Sequence, residues 1–383
     1  MAGWLEALHM RALTVILFLH AMKNKKTLLI LFFLALLAGV FLYKSLSPSS
    51  TDEEVGPLAY FEKEGNLSCI LGADFNSSFL TEEDQVSVAL YLDDSLIITY
   101  KNIQKKTSIS IPKGLLTLGA HQLKITAKHT TRGISEDERV LYVLSDITPA
   151  SWSLILKNQY VHNDSSFTQG LAFSEGKLFE GTGDPNGIGA TMIGEVDLNS
   201  GKILRKKSAA APIFGEGITL VGNELFQITW QNNTCFVYDK KTFAPLRQYT
   251  YAGEGWGLTY DGTYLIMSDG SETLTFRDPK TFKEIKTIQI YSHEGAITKL
   301  NELEYIDGLI YANIWTSNLI AVIDPSTGKV IATIDATEAV QKGKGNGEVL
   351  NGIAHNQKTG KTYITGKFWT SLFEVAFTKP KGV

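Results

Sequence analysis

The sequence predicts an all-β protein, and three observations carry that expectation. Of its 34 glycines, 26 fall after residue 150, as in chains built from short strands and many turns. That stretch also repeats itself: TQGLAF, GEGITL, GWGLTY, LNELEY and LNGIAH begin five similar segments. Ahead of it, short runs such as VSVALYL and HQLKITA alternate apolar and polar residues, the two-residue period of a half-buried strand.

The repeat defines the architecture. Aligned on Gly170, Gly217, Gly257, Glu302 and Gly352, the segments are spaced by 47, 40, 45 and 50 residues. Each runs strand, strand, strand, and four reach an Asp-bearing turn at Asp197, Asp239, Asp278 or Asp324, the plan and length of a propeller blade. The Asp-x-x-Thr/Ser pattern of those four acids is turn chemistry. The fifth segment stops one strand short, and the apolar stretch Trp152–Val161 is free to supply it. Residues 151–383 are therefore expected to form a five-bladed β-propeller, closed by its two ends without an exposed sheet edge.

Before it, residues 58–147 suit a small immunoglobulin-like β-sandwich, with strands expected at Val86, Leu96, His121 and Arg139. Nothing there is chemical, and its expected job is to hold the repeats away from a membrane. Residues 45–57 read as a linker. Thr27–Tyr43 is an uncharged apolar run behind Lys23, Lys25 and Lys26 and ahead of Asp52, Glu53 and Glu54, within a basic segment 1–26. This is the charge pattern of a signal anchor or signal peptide that leaves the rest of the chain outside the cytoplasm, in the periplasm of a bacterium. Met22-Lys-Asn-Lys-Lys reads as a natural signal start, with residues 1–21 as upstream read-through.

Composition excludes several functions. Lys plus Arg total 36 against 40 Asp plus Glu, a net charge of −4, which argues against a nucleic-acid partner. Two cysteines, Cys69 and Cys235, make neither a disulfide scaffold nor a thiolate metal centre. The seven histidines show no metal-binding spacing, and no nucleophile elbow or phosphate loop is present. No cofactor is expected. Gly-Lys-Gly-Asn-Gly at 343–347 is too weak a pattern for a phosphate cradle.

The alignment also yields a candidate site. Equivalent positions of innermost strands face one central space. Just before each alignment position stand Gln169, Glu216, Trp256, Asn301 and Asn351. A second set, 13 or 14 residues further on in three repeats, comprises Trp230, Asp269 and Trp315, joined by Lys367 in the last. Packing alone asks for Val, Ile or Leu there. Amides, a carboxylate, a lysine and three tryptophans converging on one space are a ligand site's composition.

These residues lie in motifs that resemble the plant- and bacterial-type glutaminyl cyclases. The likeness runs through FTQGLAF, FGEGITL, QITW, GWGLTYDG, LNELEY, ANIW, LNGIA and TGKFW, in order, over essentially all of 151–383. It implies a five-bladed propeller that converts the N-terminal glutamine of peptides or proteins to pyroglutamate, releasing ammonia. By motif it makes Glu216 the acid/base group, Gln169, Asn301 and Lys367 the polar site residues, and Trp230, Trp256 and Trp315 the aromatic wall. Asn351 joins the substrate-binding set through the alignment. The alternative is a non-catalytic propeller gripping a peptide or carbohydrate with the same ring.

Overall fold

The computed structural model describes residues 56–380 apart from 83–85 and 102. The apolar run Thr27–Tyr43 and the segment 1–26 lie outside the described residues, as does most of the linker. No helix among the described residues is long and apolar enough to cross a membrane.

Eight strands come first: β1 (Ala59–Phe61), β2 (Leu67–Ile70), β3 (Phe75–Thr81), β4 (Val86–Leu92), β5 (Ser95–Tyr100), β6 (Lys106–Ile111), β7 (Gly119–His129) and β8 (Gly133–Leu144). They form a three-stranded sheet, β1-β3-β6, and a five-stranded one, β2-β8-β7-β4-β5. The VSVALYL run alternates buried and half-buried along β4, as its period requires. Phe61, Phe79, Val88, Leu90, Ile109, Leu123 and Ile125 meet in one core shared by the two sheets.

The long strand β9 (Ala150–Val161) leads into four consecutive antiparallel units. The first holds β10 (Thr168–Ser174), β11 (Lys177–Thr182), β12 (Met192–Val196) and β13 (Ile203–Ser208). The second holds β14 (Gly215–Val221), β15 (Glu224–Thr229), β16 (Thr234–Asp239) and β17 (Pro245–Thr250). The third holds β18 (Leu258–Tyr260), β19 (Leu265–Ser268), β20 (Thr273–Arg277) and β21 (Glu284–Gln289). The fourth holds β22 (Leu300–Ile306), β23 (Leu309–Ile314), β24 (Leu319–Ile323) and β25 (Val330–Asp335). A short helix, α1 (Thr337–Gly343), precedes the last three strands, β26 (Leu350–Asn356), β27 (Lys361–Gly366) and β28 (Ser371–Thr378).

Strand β9 completes that last group. It pairs antiparallel with β28 from Ser153–Thr378 to Val161–Ser371, and its first residues also pair parallel with β25, which joins both groups into one eight-stranded sheet. The stretch Trp152–Val161 thus supplies the strand that the last segment lacks.

The turn acids act as their context predicts. Asp197, Asp239, Asp278 and Asp324 each accept a backbone N–H and a hydroxyl two or three residues on. Four residues after each, Gly201, Phe243, Phe282 and Gly328 adopt positive φ and donate N–H to the aspartate's carbonyl. Phe243 and Phe282 take this left-handed conformation because both rings are buried; that burial is worth ~1.5–3 kcal/mol each.

The first strands of the five groups adjoin one another in turn, β10 to β14, β18, β22 and β26, and β26 returns to β10. The alignment glycines explain how closely they meet. A Cβ at Gly170 or Gly217 would run into the backbone of Gly217–Ile218 or Gly257–Leu258, and one at Gly257 into the Asn301 carbonyl. Where glycine gives way to Glu302, the carboxylate is buried and bridges strands instead. Its two oxygens accept Leu171 N–H at 3.3 Å and Ile353 N–H at 2.8 Å. Glu302→Ala is therefore expected to cost about 2–6 kcal/mol, from two stranded buried N–H groups at ~1–3 kcal/mol each. Urea unfolding checks this; an unchanged midpoint would mean both groups find other acceptors.

The eight-strand N-terminal part contacts the ring at its third and fourth groups. Ala120 exchanges two hydrogen bonds with the Gln289 side chain, and Lys329 Nζ lies 2.6 Å from Asp146.

Candidate active site

Regular pairing breaks at four of the five ring positions. The β10–β11, β14–β15, β22–β23 and β26–β27 ladders shift register at Thr168–Gly170, Gly215–Ile218, Leu300–Leu303 and Leu350–Ile353. Gln169, Glu216, Asn301 and Asn351 all lie in these bulges, which re-aim a side chain out of the strand's alternation. Trp256 stands two residues ahead of β18, where pairing has yet to begin.

Seven of the nine candidate residues line one cavity of about 240 Å3: Gln169, Glu216, Trp230, Trp256, Asn301, Trp315 and Lys367. Phe167, Phe214 and Glu348 complete the wall. The repeat could have found the two phenylalanines, since each stands two residues before a ring residue, at equivalent positions of two segments.

Asn351 and Asp269 are the exceptions. Asn351 is buried outside the cavity wall and donates to the Thr168 carbonyl at 3.0 Å and to Gln169 Oε1 at 3.3 Å. Gln169 in turn donates from Nε2 to Glu216 Oε1 at 2.9 Å. Asn351 thus orients Gln169, which holds the carboxylate. Asp269 departs further from expectation: it is exposed and outside the cavity, its Oδ1 taken by the N–H and hydroxyl of Ser271. An aspartate is too short to reach where the equivalent tryptophans reach, and its local turn wins.

The electrostatics follow from burial. Burial drives the Glu216 carboxyl well above its ordinary 4.5; Glu254 adds to this, and Lys367 opposes it without prevailing. Burial likewise lowers the Lys367 ammonium, against the pull of Glu216 and Glu348. The Lys367 ammonium lies 4.6 Å from the centre of the Phe167 ring. Among the described residues neither Glu216 nor Lys367 makes an ion pair within 4.0 Å, so the space between them is open to a ligand. Asn301 Oδ1 is buried with no hydrogen-bond partner among the described residues.

The aromatic wall is braced from behind. Glu254 Oε2 accepts from both indoles, Trp230 at 2.7 Å and Trp256 at 2.9 Å, while Oε1 accepts from Gln231. Burial pushes this carboxyl up, but those bonds outweigh it and hold it below its ordinary value. Trp256 and Trp315 meet edge to face at 5.5 Å, as do Phe214 and Trp230 at 5.6 Å.

A buried pair fixes the segments that carry Phe167 and Lys367. His162 Nδ1 faces the Trp369 carbonyl at 2.8 Å and Nε2 faces Glu180 Oε1 at 3.0 Å, while Ser166 and Thr168 donate hydroxyls to Glu180. Burial alone would depress the imidazole's pKa, yet the charge and hydrogen bond of Glu180 raise it above 6.5. Burial would raise Glu180, but His162 and the two hydroxyls bring it below 4.5. A raised histidine stabilises fully below its unfolded pKa of 6.5, and that share is lost as pH climbs through the folded value. The lowered glutamate's share is present above 4.5 and lost as pH falls. Thermal melts from pH 6 to 9 should therefore show falling stability in the wild type and a flatter profile in His162→Gln; parallel profiles would refute the linkage.

Known proteins resemble this chain in sequence and fold. The glutamine cyclotransferase family model matches residues 127–377. The glutaminyl-peptide cyclotransferase of Arabidopsis thaliana is 35% identical over 223 residues, covering 57% of this chain and 69% of the relative. The crystal structure of Myxococcus xanthus glutaminyl cyclase matches with a TM-score of 0.57 at 34% identity, covering 61% of this chain and all of that one. On fold and sequence together, the chain belongs to the glutamine cyclotransferase family.

Proposed function

We propose that this chain is a glutaminyl-peptide cyclotransferase in which Glu216 moves the protons. The observation that carries the reading is a buried carboxyl of raised pKa, facing a buried lysine across an indole-lined cavity, in a member of this family. A peptide's N-terminal glutamine enters with its side chain folded back on its own amine. Because the attack is intramolecular, much of the work is to hold that fold. The α-amine, of ordinary pKa ~7.7–8.0, gives a proton to Glu216, and burial makes that carboxylate a stronger base than usual. The amine nitrogen bonds to the γ-carbon, and the carbonyl electrons move onto oxygen, where the Lys367 ammonium faces the developing charge. Glu216 then gives that proton to the carboxamide nitrogen and takes the surplus proton from the ring nitrogen, the carbon–nitrogen bond breaks, and ammonia leaves with the neutral lactam closed. Gln169 is committed to holding Glu216. Asn301, its amide oxygen unpaired, is the complement for the substrate's carboxamide.

The five inner strands support reading 151–383 as a five-bladed propeller whose last blade is completed by β9, with the two sheets before it as an immunoglobulin-like spacer. The Thr27–Tyr43 run and its flanking charges support an extracytoplasmic enzyme, anchored or secreted. The decisive test is incubation with a glutamine-initiated dipeptide, following ammonia and the pyroglutamyl product. Absence of both refutes the assignment.

A further inference from the structure

One carboxylate of the cavity has no part in that proton transfer. Glu348 is exposed at the cavity's edge beside Lys367, and its backbone is firmly held. Its N–H donates to the Lys367 carbonyl at 2.7 Å, and its carbonyl accepts the Trp369 indole at 3.1 Å. Lys367 N–H returns to the Val349 carbonyl at 3.0 Å. The Gly-Lys-Gly-Asn-Gly run explains this close seat. A Cβ at Gly347 would meet the Phe368 carbonyl at 2.5 Å, one at Gly343 would enter the Phe373 ring, and Gly345 has φ +54°. These glycines press the segment against the Lys367 turn and deliver Glu348 to the cavity.

Its side chain differs from the other two carboxyls near the cavity. Glu216 is held by Gln169, and Glu254 is saturated by two indoles and an amide. The Glu348 carboxylate makes no hydrogen bond or ion pair among the described residues. We propose that Glu348 seats the α-ammonium of the incoming glutaminyl peptide and so distinguishes substrate from product. The inference rests on the cyclotransferase reading. Cyclisation turns an ammonium and a carboxamide into a neutral lactam N–H and an ammonium ion, so the positive charge departs with the ammonia nitrogen. The product peptide then offers a carboxylate no positive charge, only a neutral N–H, whereas the substrate makes a charge-assisted bond with it.

Steady-state kinetics of the full chain on a glutaminyl dipeptide amide test this, with the matching pyroglutamyl dipeptide amide as competitive inhibitor. Glu348→Gln keeps the side chain's size and removes its charge. It is expected to raise KM about tenfold, the loss falling on KM rather than kcat, with the product's inhibition constant unchanged. An unchanged KM overturns the proposal, as do KM and the inhibition constant rising together, the mark of a merely structural disturbance. Either result leaves the cyclotransferase reading standing. A wild-type chain that releases no ammonia overturns both.

Discussion

Glu216→Gln is expected to lower kcat by about a hundred- to ten-thousandfold, the usual range for a general acid–base group, and to leave the melting transition in place. The amide has the carboxyl's shape, and its oxygen still accepts from Gln169 Nε2 across the same 2.9 Å. What disappears is the ability to take a proton near neutral pH. The substitution also removes the negative charge that holds the Lys367 ammonium up, so Lys367 should give up its proton more readily than before. Two effects thus fall together: no proton carrier, and a weaker cation facing the oxyanion. A variant within tenfold of wild type would mean that water or another group carries the proton, and Glu216 would lose its assigned role.

Removing β9 should be the most damaging change to stability. A chain beginning at Asn163 is expected to melt far below one beginning at Ala150. The strand pairs with β28 from Ser153 to Val161, and Asn158, Gln159 and Tyr160 bond Glu374 and Ser371 on that partner. Trp152 is buried in the core cluster of the last two groups, with Leu154 and Leu156 packed against it, and Tyr160 packs on the neighbouring cluster. At ~25 cal/mol per Å2 of apolar surface, exposing these four side chains and their cover costs several kcal/mol. That is comparable with the ~5–15 kcal/mol that holds an ordinary domain together. The first eight strands, by contrast, complete none of the ring's sheets. Equal melting temperatures for the two chains would show that the last group is completed without β9.

How much was legible depended on whether a residue's role repeats. The glycines at 170, 217 and 257 stand at equivalent positions, and the same close approach of neighbouring backbones requires each of them. Glu216 stood out as the one carboxylate in its set. Phe167 and Phe214 also recur at equivalent positions, two residues ahead of Gln169 and Glu216, and were legible by the same repeat. Glu254 and Glu348 come from loops, where no period marks a residue. The indirect role of Asn351 depends on the geometry of two neighbouring bulges, which no single strand's sequence encodes. Asp269 shows the opposite failure: equivalent backbone position does not carry function when the side chain is too short to leave its own turn.

The closing strand also sets a timetable. Each of the first four groups after β9 is a local meander whose strands pair with near neighbours in sequence, and each can form soon after it is made. The β9–β28 pairing is different: Gln159 waits for Ser371, 212 residues later. Until then β9 is an apolar strand without its main partner, and β28 is the last strand synthesised among the described residues. Contacts this distant along a chain form slowly, because the whole intervening segment must be drawn together first. A ribosome that stalls late, or an export step that holds back the chain's end, would therefore leave nearly all the sheets formed and still no closed ring.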